Sequence, residues 1–148
     1  MENTIQILPM TADILPQITQ LERLCFADPW SADSFAGETQ NPLAVYFVAM
    51  QENQALGYIG MHHILDEGHI TNVAVHPDQR RRGVARMLAE ALIVYAMENA
   101  LRLLTLEVRR SNLGAIALYS GLGFVPVGMR PRYYRHPTED AILMTLEF

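Results

Sequence analysis

Hydrophobic and polar residues recur along this chain with two different periods, and the switches between them predict its secondary structure. Ile5–Leu8 has the pattern of a short strand. After Thr11, a candidate N-cap, apolar residues recur at helical spacing, and Ser31 is the N-cap of a second short helix that ends near Gly37. The apolar positions of the first helix are Ile14, Ile18, Leu21, Leu24 and Cys25.

The middle of the chain consists of short apolar runs separated by polar turns. Strands are predicted at Ala44–Met50, Leu56–Ile64 and Ile70–Val75, with turns at Gln51–Gln54 and at Asp66-Glu67-Gly68. Strands joined by such short turns are antiparallel neighbours, so this region is expected to form a β-meander.

The rest of the chain alternates between helical and strand periods. Helices are predicted at Val84–Asn99 and Asn112–Leu122, the second ending at Gly123 as a C-cap residue. The strands of this part are predicted at Leu103–Val108, at about Phe124–Met129 and at Ala141–Phe148.

The element order β-α-α-β-β-β-α-β-α-β-β defines a mixed α/β (α+β) fold. The helix Val84–Asn99 connects the strand Ile70–Val75 to the strand Leu103–Val108, and a crossover of this kind makes the two strands parallel. The expected architecture is a mostly antiparallel, twisted sheet of about seven strands with about four flanking helices. No linker or repeat divides the chain, so residues 1–148 are expected to form one domain.

Composition narrows the class of protein. Of the 148 residues, 50% are hydrophobic and 18% are charged, as in soluble globular proteins, and the net charge of −5 disfavours nucleic acid and anionic membranes as partners. No signal-peptide pattern or membrane-length apolar run is present, and the single Cys25 suits a reducing compartment, so a cytoplasmic protein is expected. The five histidines show no metal-ligand spacing, and no metal is expected.

A basic segment, Arg80-Arg81-Arg82-Gly83-Val84-Ala85-Arg86, lies between a predicted strand and a predicted helix. The first turn of a helix has unpaired N–H groups and a partial positive charge, which together bind anions. Gly83 and Ala85 leave this backbone accessible, so a diphosphate is a natural ligand. The alternative interpretation is a solvated basic turn before a surface helix.

A carboxylate and two further polar side chains follow in the next elements. Glu107 stands in an otherwise apolar strand, where burial requires a partner or a raised pKa; it could be a general base, or form an ion pair with Arg102 or Arg109. Asn112 and Tyr119 lie on one face of the next helix. Asn112 could cap the helix or contact a ligand, and Tyr119 could be a core aromatic or direct its hydroxyl at a site.

Two segments resemble a known family. Arg80-x-x-Gly83-x-Ala85 resembles the signature of the GCN5-related N-acetyltransferases (GNAT), and Asn72–Asp78 is similar to the strand that precedes it in that family. The resemblance implies a GNAT fold and acetyl-CoA as donor. It implies that the pyrophosphate binds the backbone of Arg81–Arg86, and that the pantetheine arm pairs with Val73-Ala74-Val75 where the two parallel strands splay apart.

The segment that runs from Leu106 to Phe124 is similar to the ribosomal-protein-alanine N-acetyltransferases within this family. The resemblance implies that Glu107 is the general base, that Tyr119 is the general acid and that Asn112 contacts the cofactor. It implies an N-terminal alanine of a small-subunit ribosomal protein as acceptor, a basic partner that suits the acidic chain. A lysine or small-molecule acetyltransferase and a non-catalytic acyl-CoA-binding module are the alternatives.

Other parts of the chain bear on the acceptor. Pro29-Trp30-Ser31 and Tyr133-Tyr134 also match this class, whereas Pro131 and Arg132 replace its usual Arg-Asn in a loop that flanks the acceptor groove there. Trp30 could pack or contact the acceptor. The turn at Asp66-Glu67 is placed near the acceptor, where it could attract a basic peptide, or is a plain solvated turn.

Overall fold

The computed structural model describes residues 4–26 and 29–148, and within them the chain forms seven strands and four α-helices in the predicted order. The strands are β1 (Gln6–Pro9), β2 (Ala44–Gln51), β3 (Gln54–Ile64), β4 (Glu67–Val75), β5 (Leu103–Arg109), β6 (Val125–Tyr134) and β7 (Glu139–Glu147). The helices are α1 (Leu15–Cys25), α2 (Ala32–Thr39), α3 (Val84–Glu98) and α4 (Leu113–Gly121). Short 3-10 helices lie at Ala12–Ile14 and Pro77–Gln79.

All seven strands belong to one sheet, in the order β1-β2-β3-β4-β5-β7-β6. Only β4 and β5 are parallel neighbours, and their pairing ends where His69 lies opposite Thr105. Beyond this pair the two strands continue to Val75 and Arg109 without pairing to each other, so their carboxyl ends separate. The predicted mostly antiparallel sheet with a splayed parallel pair is therefore confirmed.

Each face of the sheet is covered by different helices. On one face α3 and α4 pack against residues such as Ala49, Ile59 and Leu106. On the other face α1 and α2 pack against Val48 and Tyr58, the neighbours of Ala49 and Ile59 along their strands. Successive side chains of a strand point to opposite faces, so α1 and α2 cover the face opposite α3. Among the described residues no helix is long and apolar enough to cross a membrane.

The predicted turn at Asp66-Glu67-Gly68 is wrong, because β4 already begins at Glu67. The turn consists of Leu65 and Asp66, with Leu65 at φ 55°. Gly68 is a strand residue opposite Leu104, and a Cβ at this position would lie 2.5 Å from Leu104 Cδ2. This glycine therefore allows two parallel strands to pack closely and does not mark a turn.

Strand β6 extends to Tyr134, five residues beyond its predicted end at Met129. It includes Pro131, a residue that lacks a backbone N–H. Because β6 pairs only with β7, it is an edge strand, and a proline can face solvent there without removing a ladder hydrogen bond.

Candidate active site

The carboxyl ends of β4 and β5 form the two walls of a cleft. On the β4 side, Val73, Ala74 and Val75 pair with β3 at their other edge, which fixes their backbone. On the β5 side, Glu107 and Arg109 pair with β7. Since neither strand edge pairs across the gap, backbone N–H and C=O groups of this part of the sheet are available to a ligand, except the carbonyl oxygen of Val75, which accepts from Arg80 and Cys25.

Glu107 lies on the face of β5 that points away from α3. Leu104, Leu106 and Val108 belong to the core under α3, so the alternation of β5 directs Glu107 to the opposite face, where it is half-buried. No ion pair among the described residues joins it to either candidate arginine. Arg102 pairs with Asp66 and Glu67, and Arg109 pairs with Glu139, so the structural ion pair proposed as an alternative does not form.

Tyr119 is 5% exposed and packs edge-on against Phe124, with their ring centroids 5.4 Å apart. It belongs to the core under α3, on the side of β5 opposite Glu107. The Tyr119 hydroxyl has no hydrogen-bond partner in the described part of the chain. In that part, every fully buried polar side-chain atom has a partner. The Tyr119 oxygen is therefore not fully buried and keeps contact with solvent. Burial raises the pKa of Tyr119 above its ordinary value, and Tyr134 adds to this effect. Tyr119 is therefore a protonated phenol.

Tyr134 interacts electrostatically with both predicted catalytic residues, a role that the sequence does not predict for it. Burial and the neighbouring Tyr133 raise the pKa of Tyr134 to about 12, and the charge of Glu107 contributes. Tyr134 in turn raises the pKa of Tyr119. The electrostatic surroundings of Glu107 and of Tyr119 therefore both include Tyr134.

Arg109 holds the turn between β6 and β7 against the end of β5. Its guanidinium donates to the carbonyl oxygens of Arg135 and Pro137, both at 3.0 Å, and pairs with Glu139 at 3.2 Å. It also lies over the ring of Tyr134, 4.5 Å from the centroid. Hydrogen bonds from Ser111, assisted by Arg109, lower the pKa of the Glu139 carboxyl, which therefore remains ionised as the partner of Arg109.

The basic segment before α3 leaves the backbone N–H groups of the helix N-terminus without a side-chain cap. Gly83 is the N-cap of α3 with φ 78°, and no side chain caps the helix, so its first N–H groups face the loop. A Cβ at Gly83 would meet no atom within 4 Å, which leaves open space beside the helix N-terminus. Arg81 also has a positive φ, of 66°.

Three of the four arginines in this segment contact the protein itself. Arg80 donates to the carbonyl oxygen of Val75 at 3.3 Å and lies 3.8 Å from Cys25 Sγ. Arg82 donates to Gln51 and Gln79, and Arg86 pairs with Glu90 at 3.5 Å. The side chain of Arg81 has no such partner in the described part of the chain. The contacts of Arg80 and Arg82 fasten the loop to the sheet, so that its backbone keeps a fixed shape.

The structure gives a structural contact to each of two residues whose roles the sequence leaves open. The side-chain oxygen of Asn112 accepts a hydrogen bond from the N–H of Ala115 at 3.1 Å and so caps α4. The ring of Trp30 packs on Phe35, with centroids 5.4 Å apart. A contact of Asn112 with the cofactor stays a prediction, since its amide nitrogen is not used by the cap.

The acidic turn lies at the end of β4 that is far from the cleft. Asp66 and Glu67 lie at the first end of β4, and both pair with Arg102. Eight residues separate Glu67 from Val75, so this turn is about 25 Å from the cleft at about 3.3 Å per residue. Among the described residues, no group of three or more acidic, histidine or cysteine side chains could hold a metal ion.

A splayed parallel strand pair with an uncapped, glycine-containing helix N-terminus beside it is the arrangement of an acyl-CoA-dependent acetyltransferase. The sequence model of the Acetyltransferase (GNAT) family matches residues 15–124, which is more than half of the chain. The chain belongs to this family, and it is an N-acetyltransferase.

Within this family, the chain is similar over nearly its whole length to enzymes named for one reaction. The chain is 40% identical over 148 residues to the [ribosomal protein bS18]-alanine N-acetyltransferase of Salmonella typhimurium, covering 97% of both chains. It is 39% identical to the Escherichia coli enzyme of the same name, again over 97% of both chains. The crystal structure of the ribosomal-protein-S18-alanine N-acetyltransferase from Escherichia coli superposes with a TM-score of 0.91 and 36% identity, over 97% of this chain and 94% of that one.

Proposed function

We propose that this protein transfers the acetyl group of acetyl-CoA to the α-amine of the N-terminal alanine of ribosomal protein bS18. The observation that carries the proposal is the cleft between β4 and β5, with Glu107 on its wall, in a chain that aligns over 97% of its length with two relatives named for this reaction.

The residues beside the cleft fit the donor. The N-terminus of α3 is uncapped, and the open space at Gly83 would admit a diphosphate to its N–H groups. Arg81 adds positive charge there. The unpaired edge of Val73, Ala74 and Val75 offers backbone groups to the amides of the pantetheine arm, as one more strand would. A backbone N–H of the same strand end would hold the negative charge that develops on the carbonyl oxygen.

The protonation chemistry favours an α-amine over a lysine. Only a neutral amine attacks a thioester, and the pKa is about 7.7–8.0 for an α-amino group but about 10.4 for lysine. Deprotonation at pH 7 therefore costs about 1 kcal/mol for the α-amine and roughly 4–5 kcal/mol for lysine, at about 1.36 kcal/mol per pKa unit. A single carboxylate base is adequate for the first task.

In this mechanism Glu107 and Tyr119 act from opposite faces of β5. The amine nitrogen bonds to the thioester carbon and the carbon–sulfur bond breaks. Glu107 accepts the proton that the nitrogen loses, directly or through water, and Tyr119 donates a proton to the departing sulfur. Burial raises the pKa of Tyr119, so its hydroxyl carries a proton before the carbon–sulfur bond breaks. The cleft passes between β4 and β5, so a thioester within it is accessible from both faces.

A panel of acceptors tests this function. Mass spectrometry would follow the acetylation of three acceptors. The first is a basic peptide that begins with alanine, the second is the same peptide with a blocked α-amine and one internal lysine, and the third is a polyamine. The kcat/KM for the alanine peptide should be about 10²-fold higher than that for the blocked peptide, because the two amines differ in pKa. Equal rates on the blocked peptide would show a lysine acetyltransferase, and faster polyamine turnover a small-molecule enzyme.

The same assay tests the base. Glu107→Gln should slow transfer to the alanine peptide by about 10²–10⁴-fold while the Kd for acetyl-CoA changes little. Glu98→Gln, at the exposed end of α3, is the matched control and should behave as the unchanged protein. Full activity of Glu107→Gln would remove Glu107 from the mechanism, and failure of the protein to bind acetyl-CoA would exclude the proposed function.

A further inference from the structure

A buried carboxylate on α1 has no part in the chemistry above. Glu22 is 3% exposed and lies between α1 and the sheet. No ion pair among the described residues includes it. Its two oxygens instead accept hydrogen bonds from the hydroxyl of Tyr58 on β3 and from the backbone N–H of Trp30, the latter at 2.9 Å. An ionised group this deeply buried is retained only when such donors satisfy it, so these two bonds determine where Glu22 lies.

The hydrogen bonds continue from Tyr58 to the strand that forms one wall of the cleft. The side-chain amide of Asn72 donates to the Tyr58 hydroxyl at 3.1 Å. The amide oxygen of Asn72 accepts from the hydroxyls of Thr71 at 2.8 Å and Tyr46 at 3.3 Å. Asn72 immediately precedes Val73, the first of the three residues expected to pair with the donor. The chain of bonds therefore runs from Trp30 through Glu22 and Tyr58 to β4.

Aromatic packing leaves this network little freedom. Phe35 of α2 packs edge-on against Tyr58 at 5.6 Å between centroids, and Trp30 packs on Phe35. Tyr46 is stacked on Tyr58 at 6.3 Å. Burial, and then the bond with Glu22, raise the pKa of Tyr58 far above its ordinary value, so its hydroxyl keeps the proton that it donates.

The network lies on the face of the sheet that carries Glu107. Tyr58 faces α1 and α2, and Glu107 points away from α3 to the same side. An acceptor whose amine approaches Glu107 must therefore enter on the face where Trp30 leads into α2. Errors of about 1 Å in the placement of a substrate can slow a reaction about 10²-fold, so a fixed wall on this face matters for the rate.

We propose that Glu22 is a positioning residue for acceptor binding, since its buried carboxylate holds the backbone at Trp30 against Tyr58 and Asn72. This inference rests on the proposed function only for the identity of the acceptor. The anchoring of Trp30 is independent of it and is measured separately.

Trp30 is the only tryptophan of the chain, so its fluorescence reports the anchored segment directly. Tyr58→Phe removes one donor to Glu22 and keeps the ring, and Glu22→Gln keeps the shape of the side chain but removes its charge. Both variants should show a red-shifted emission and about twofold or greater quenching of Trp30 by acrylamide, because a hydrogen bond to a charged group is lost. Unchanged emission and quenching in both variants would overturn the proposal.

Kinetics separate positioning from general stability. In both variants the KM for the alanine peptide should rise about tenfold, as expected for the loss of about one such bond, while the Kd for acetyl-CoA stays within about twofold. The control is Thr19→Val, which removes a buried hydroxyl on the same helix whose bond, at 2.9 Å, goes only to Leu15. An equal rise of KM in the control would contradict a positioning role.

Trp30 fluorescence and peptide kinetics also allow this proposal and the proposed function to fail independently of each other. If the unchanged protein does not acetylate the alanine peptide, the proposed function fails, and the Trp30 measurements still decide whether Glu22 anchors this segment. If Glu22→Gln does not fold, Tyr58→Phe decides, since it leaves the carboxylate with the bond from Trp30.

Discussion

The proposed donor side and the proposed acceptor side of the cleft are built in different ways. The donor side is a continuous stretch, from Asn72 through the N-terminus of α3, and its useful groups are backbone N–H and C=O. The acceptor side is assembled from side chains that are far apart in sequence. Glu22 reaches Tyr58 across 36 residues, and Arg109 reaches Arg135 and Pro137 across 26 and 28 residues.

This difference predicts which side of the cleft tolerates substitution better. A donor site made of backbone tolerates many side chains, provided that a glycine allows the required φ. An acceptor site made of side-chain hydrogen bonds depends on each partner, because a buried group left alone loses more free energy than the bond contributed. The acceptor side is therefore where single substitutions should have the larger effect on the rate.

Arg109 offers the strongest test of this expectation. Arg109→Met keeps the length of the side chain but removes its bonds to Arg135, Pro137 and Glu139 and its contact with Tyr134. Charged hydrogen bonds contribute about 1.5–3 kcal/mol, so kcat/KM for the alanine peptide should fall about 10- to 100-fold. The Kd for acetyl-CoA, measured by calorimetry, should stay within about twofold.

The neighbouring arginine is the matched control for Arg109. Arg110 is exposed and pairs with Asp140 at 3.8 Å, a surface contact worth little. Arg110→Met should therefore leave kcat/KM for the peptide within about fivefold, since surface pairs contribute at most about 1 kcal/mol. If the two variants were equally impaired, the positive charge of this surface, and not the anchored turn, would control the acceptor.

Features that depend on local sequence are predictable from the chain, whereas features that depend on contacts between distant residues are not. The element order, the parallel crossover and the glycine before α3 depend on local periodicity and local backbone geometry, and these predictions are confirmed. The position of Gly68 depends on a neighbouring strand, so its role in close packing was mistaken for a turn. The hydrogen bonds of Glu22 and Arg109 depend on how distant parts of the chain pack together, and no residue spacing along the sequence predicts them.

Substitution of the glycine tests the donor side. Gly83→Ala places a Cβ in open space but at φ 78°, which costs about 1–2 kcal/mol in the left-handed region. If the loop keeps its shape, the free energy of unfolding should fall by about this amount. If the loop relaxes to relieve the strain, affinity for acetyl-CoA should fall instead, by about tenfold, the change that about 1.4 kcal/mol produces. The KM for the peptide should change little.

Gly37→Ala is the control for this backbone effect. A Cβ there also meets no atom within 4 Å, and Gly37 lies within α2 without a positive φ. This variant should keep its affinity for acetyl-CoA and gain about 0.4–1 kcal/mol in the free energy of unfolding. Loss of donor affinity in Gly37→Ala as well would mean that the conformation of Gly83 is not the controlling feature.

The smallest effect is expected at the acidic turn, and it tests the location of the acceptor side. Asp66 and Glu67 pair with Arg102 about 25 Å from the cleft by strand length, about three times the screening length of about 8 Å at physiological ionic strength. The double substitution Asp66→Asn and Glu67→Gln should therefore change the KM for a basic alanine peptide less than twofold at about 0.15 M salt. A severalfold rise in KM that disappears at high salt would show that the peptide extends along the sheet to this turn, and that the acceptor surface reaches well beyond Trp30 and Tyr134.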